Sequence, residues 1–159
     1  MTIKFNVQNQ MLVIHPSQAK LRLASDSKNY WVANFDLRTE EWKNKIVFAL
    51  FTFGERTYKM VLGADTELGW NECWVPAEVI HAPKFTVTLY CDNRVTTNMV
   101  TVPVDPSGYT EKVVNQRVTP TVMEQMDSLM KRYALICNSI LQDCSKIQQE
   151  IKEDKVNGN

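Results

Sequence analysis

Six side chains in this sequence, two histidines and four cysteines, belong to types that ligate transition metals, and His15, His81, Cys73 and Cys91 are the four that could be combined into one site. A structural zinc site takes four such ligands, usually supplied in closely spaced pairs such as CxxC. No such pair occurs here. Both histidines stand near proline, and the cysteines, including Cys137 and Cys144, fall in apolar patterns, so all four cysteines read as free buried thiols and no metal or cofactor is expected. The loop ADTELG offers Asp65 and Glu67 as hard oxygen donors for calcium, but it lacks the regular spacing of a calcium loop, and solvated turn residues are the favoured reading. Ser107-Gly108 is not framed as the G-x-S-x-G elbow, and no glycine-rich phosphate cradle occurs. No catalytic residue is therefore assigned, and the chain is expected not to be an enzyme. Trp31, Trp42, Trp70 and Trp74 could stack on sugars if exposed and coplanar. Trp31 and Trp74 sit inside strand patterns, whereas Trp42 and Trp70 lie beside polar turns and are the candidates for a contact surface.

The elements that would have to position these residues change character every eight to twelve residues over the first two thirds of the chain, which is a strand rhythm. Apolar residues alternate at Ile3, Phe5 and Val7, at Leu21 and Leu23, and at Phe85, Val87 and Leu89. The denser runs YWVANFDL (30–37) and IVFALFTF (46–53) read as central strands buried on both faces. Turn signals separate them, and no helical stripe intervenes before Gln116. Pro103 would remove a ladder hydrogen bond and belongs on a sheet edge. WVPAEVI (74–80) reads as a short strand into a turn or as a single helical turn. The expected fold is mainly β: an antiparallel β-sandwich over residues 1–115, then a C-terminal oligomerisation helix over 116–159 with a short disordered tail.

Composition limits the partners. The 159 residues, 44% apolar, suffice for one domain with a core and an appendage. Eighteen basic residues balance eighteen acidic ones, so no net field exists to gather nucleic acid or an anionic membrane. The N-terminus lacks a signal-peptide pattern and no apolar run reaches the roughly 18 residues of a membrane span. Synthesis and folding in a cytoplasm are expected.

After Thr119 the period changes from two to seven. Thr121 and Glu124 have the T-x-x-E spacing of a capping box, with Pro120 just before it. Met123, Met130, Cys137, Cys144 and Ile151 then fall at position a of a heptad, and Met126, Tyr133, Ile140 and Ile147 at d. Val122, Leu129 and Ile136 widen the early stripe at g, which suits contact with the β domain or a broad bundle core. A helix from Thr121 to Ile151 would be about 45 Å long at 1.5 Å per residue, against about 30 Å for a small domain. The stripe must overhang its own domain, so a coiled coil or helical bundle is expected. Isoleucine at d fits poorly in parallel dimers, which favours a homotrimer.

The segments LGADTELGWNECWVPAEVI, KFTVTLYCDN, TTNMVTVPVDPSGY and VTPTVMEQM, leading into a coil, resemble the N-terminal module of phage baseplate upper proteins and related tail-fibre adaptors of phages infecting Gram-positive bacteria. The likeness is carried by VPAEVI (75–80), by the TTN-to-SGY stretch (96–109) and by PTVMEQM (120–126), and it covers roughly the second half of the chain. The resemblance implies a virion structural protein, assembled in the host cytoplasm, that docks on other tail or baseplate proteins and supports receptor-binding fibres. A longer member would continue past the coil, so a short adaptor, or a head or collar decoration, is also expected. A carbohydrate-binding module is the alternative from another class.

Overall fold

Among the described residues, ten strands precede a single long helix: β1 (Thr2–Gln8), β2 (Met11–Ile14), β3 (Leu23–Ala24), β4 (Val32–Leu37), β5 (Val47–Phe53), β6 (Arg56–Val61), β7 (Glu72–Trp74), β8 (Lys84–Cys91), β9 (Val95–Thr96), β10 (Val100–Asp105) and α1 (Val122–Asn157). The computed structural model describes residues 1–92, 94–108 and 119–158. The boundary expected between residues 115 and 116 lies outside them. The chain is thus mostly β with one long C-terminal helix, as the change of period predicts. WVPAEVI contains both of the elements weighed for it, the end of β7 and a 3-10 turn at Ala77–Val79.

The strands form two sheets, in the orders β2-β1-β4-β7 and β3-β10-β8-β5-β6, with β9 against the end of β8. Contrary to expectation, the pairings are mixed. β1 runs parallel to β4, with Phe5 beside Phe35, and β10 runs parallel to β3, with Val104 beside Leu23. Parallel neighbours need a connection that leaves the sheet and returns. Here a strand supplies it: after β2 the chain lays β3 into the other sheet and comes back as β4. The lack of crossover helices in the sequence therefore did not require antiparallel order.

Alternation along the strands gives each sheet one buried face. Ile3, Phe5 and Val7 of β1 are buried together with Ala33 and Phe35 of β4, Ala49 and Phe51 of β5, and Phe85, Val87 and Leu89 of β8, in one cluster drawn from both sheets. Phe5 stacks on Phe35 with ring centroids 4.9 Å apart. Each such side chain contributes about 1.5–3 kcal/mol on full burial, so this cluster holds the sheets in their relative positions. β5 is not buried on both faces, as its apolar run implied. Val47, Ala49 and Phe51 point into the core, while Phe48, Leu50 and Thr52 are half-buried. Phe48 on this second face stacks on Tyr90 and packs towards the start of α1.

Two sheet edges are closed by side-chain amides. On the outer strand β2, Asn98 accepts from the Leu12 N–H at 2.6 Å and donates to the Leu12 carbonyl at 3.0 Å. On the outer strand β6, Gln125 of α1 does the same work at Val61 and Lys59. An unpaired edge is a template for further strands, and a carboxamide, with one donor group and one acceptor, matches the missing neighbour. Pro103 lies on β10, which has only the two-residue β3 on its outer side, paired at Val104 and Asp105. The Val104 N–H points inward to the Pro83 carbonyl at 2.8 Å, so alternation turns the donorless Pro103 nitrogen away from β8.

The C-terminal residues expected to be loose continue the helix to Asn157. Lys152, Glu153 and Lys155 are good helix formers, and extending an existing helix needs no new nucleus.

β3 is held to β10 by a surface clamp: the Arg22 guanidinium donates to both carboxylate oxygens of Asp105 at 2.6–2.9 Å. Hydrogen bonding from Arg22 holds the Asp105 carboxyl below its usual range. A depressed folded pKa gives stabilisation that is present above the unfolded value, about 3.9, and is lost as pH falls through the lower folded value. Asp105→Asn is therefore expected to lower the thermal midpoint slightly at pH 7. The gap to the unaltered protein closes under strongly acidic conditions, as followed by circular dichroism.

Candidate functional site

The residues with chemical potential are dispersed or already engaged. His15 bonds Ser17 through Nδ1, at 2.7 Å from Oγ and 3.2 Å from the backbone N–H. His81 faces Asp26 at 3.3 Å, packed beside Phe53. Ser25 and Ser107 also approach Asp26, at 3.0 and 3.3 Å. The carboxylate thus stands between the imidazole and the hydroxyls, whereas a serine relay needs the imidazole in the middle. Asp65 accepts from the Glu67 N–H and from the Trp74 indole, both at 2.9 Å, which shapes the 65–67 turn. Among the described residues no group of three or more His, Cys, Asp or Glu side chains is placed to hold a metal ion.

The cysteines do not share one environment, contrary to the expectation of four buried thiols. Cys73 and Cys91 lie in the core, and burial pushes both thiols up. Cys137 and Cys144 are exposed on α1, because that part of the helix has no domain beneath it. The contact surface expected at Trp42 and Trp70 also needs correction. Trp42 is only 1% exposed. Its indole N–H donates to the Asn9 carbonyl at 2.7 Å, and burial of the ring outweighs the polarity of its neighbours in sequence. Trp70 remains partly exposed, but it contacts α1.

The root of α1 is where sheet and helix meet. Thr121 and Glu124 form both arms of the capping box that their spacing predicts. Just before it, the Thr119 hydroxyl donates to the Glu78 carboxylate at 2.7 Å. Val122, Met126 and Leu129 then pack on Ile46, Phe48, Val61 and Ala64. Gln125, buried among them, accepts from the Val61 N–H at 2.7 Å and donates to the Lys59 and Pro120 carbonyls at 3.0 Å. Two turns further on, Arg132 donates to the carbonyls of Gly63, Asp65 and Leu68 at 2.8–3.1 Å. Its guanidinium lies 3.9 Å from the Trp70 ring centre, and Tyr133 stacks on the same indole. This loop can pass so close only because residue 63 is glycine: its φ is +76°, and a Cβ there would lie 2.8 Å from the Trp70 carbonyl oxygen.

Hence α1 docks through its c, d and g positions, one flank away from the a positions. Of the nine stripe residues, Met126 is half-buried on the domain and Tyr133 is stacked on Trp70. Met123, Met130, Ile140, Ile147 and Ile151 are at least half exposed, and Cys137 and Cys144 are exposed. From residue 134 to residue 157 every side chain is exposed, a projection of about 36 Å at 1.5 Å per residue. No helix among the described residues is long and apolar enough to cross a membrane. Gln125 and Arg132 carry little signal in the sequence, because polar residues at c normally face water. The one signal was their shared flank with Val122 and Leu129.

No family model matches the chain, and no curated protein matches it.

Gln125→Leu keeps the bulk of the side chain but strands the Val61 donor and the Lys59 acceptor. A loss of about 1–3 kcal/mol in urea denaturation is expected, with faster hydrogen exchange at the Val61 amide.

Proposed function

We propose that this chain is a non-enzymatic assembly protein whose two sheets, read as an open β-sandwich, anchor a helix that joins copies into a homotrimeric coiled coil. One observation carries the reading: a helix fixed at its root by buried polar bonds projects away from the domain with an apolar stripe in water. Each exposed aliphatic or sulfur side chain on that stripe forgoes about 1–2 kcal/mol of burial, and an isolated helical segment has little stability of its own. Association of helices removes both deficits together. Isoleucine at Ile140 and Ile147, both d positions, favours three strands over two.

The setting we propose is a phage virion, with the trimer as a baseplate or tail-fibre adaptor that docks on other tail proteins, carries receptor-binding fibres and is assembled in the host cytoplasm. Its support is the sequence resemblance quoted above. Glu78 of VPAEVI bonds Thr119, the residue just before PTVMEQM, so two of the stretches that carry it meet at the helix root. A head or collar decoration would use the same trimer at another place on the particle.

Light scattering of the intact protein is expected to give three times the 18.3 kDa chain mass. Ile140→Asp combined with Ile147→Asp should return it to the single-chain mass and reduce helical circular dichroism, with the β domain still folded because the root contacts are retained. A single-chain mass for the unaltered protein at micromolar concentration would sink the self-association reading.

A further inference from the structure

Besides Leu135 and Val156 at f positions, the a and d stripe leaves two exposed apolar side chains of α1 unexplained. Leu141 lies at an e position outside the stripe and is 64% exposed, and Ile136 at g is 42% exposed. The g row above it behaves differently: Val122 and Leu129 pack on the β domain, Leu129 being only 2% exposed. Ile136 is therefore the first g residue clear of the domain. Within one helix, residues five apart are separated by about 140° of rotation, so Ile136 and Leu141 lie on opposite sides of the stripe and cannot touch in the same chain.

Between parallel helices in register the geometry reverses, because a g residue of one copy faces the e residue five positions later in its neighbour. We propose that copies of this chain associate in parallel and in register, with Ile136 of one copy seated against Leu141 of the next, so that the apolar core widens for one layer beyond a and d. This rests on the self-association proposed above and adds its direction and register. The same offset carries the other rows. Asp143 meets the neutral Gln148, and Glu150 meets Lys155 of opposite charge. An antiparallel arrangement sets g against g and e against e, which breaks these matches. The parallel arrangement also gathers every β domain at one end of the rod.

A charge exchange tests the pairing by sedimentation velocity on the full chain. Ile136→Glu alone and Leu141→Lys alone each remove apolar burial and are expected to weaken association by about tenfold or more. The combined variant places Glu against Lys across every helix contact and should recover most of that loss. Both positions are exposed beyond the root, and circular dichroism of the β domain checks that folding is unchanged. If the unaltered protein associates but the combined variant is weaker than either single one, or if the single variants have no effect, the parallel register is overturned. A monomeric unaltered protein is a separate failure, that of self-association itself.

Discussion

The buried carboxamide of Gln125 is the interaction on which the architecture turns. It completes the open edge of β6 by accepting from Val61 and donating to Lys59, and a third bond reaches the Pro120 carbonyl just before the helix. One side chain therefore ends a sheet and starts a rod. Apolar packing of Val122, Met126 and Leu129 surrounds it, excluding the water that would otherwise compete for the amide. Burial without these partners would be costly, so the helix has little freedom to pivot at this point.

Arg132 extends the same logic by two more turns. Its bonds to the carbonyls of Gly63, Asp65 and Leu68, together with its seat over Trp70, fix the direction in which α1 leaves the domain. The domain thus acts through the c, d and g flank of the helix and stops acting at Tyr133. Beyond that residue the apolar stripe lies in water, and the fixed root sets its orientation.

Several features were legible because they depend on near neighbours in sequence. The Thr121–Glu124 capping box needs only two side chains and the backbone between them. The buried faces of β1 and β8 follow from alternation, and the stripe from Met123 to Ile151 follows from heptad spacing. Trp42 is the complementary case: its flanking residues are polar, yet the ring turns inward and finds the Asn9 carbonyl, which lies distant in sequence. Cys137 and Cys144 resembled core residues because an apolar pattern records what a surface prefers, not whether a partner has covered it.

Sequence alone determined that strands come first, that a capped helix follows, and that this helix is too long for its domain, since local periodicity and rise per residue set all three. Tertiary structure decided the mixed order of the sheets, the burial of Trp42, and the choice of Gln125 and Arg132 as anchors. Those outcomes depend on which distant backbone groups are left without partners once the core has closed, and no local pattern in the chain encodes that remainder.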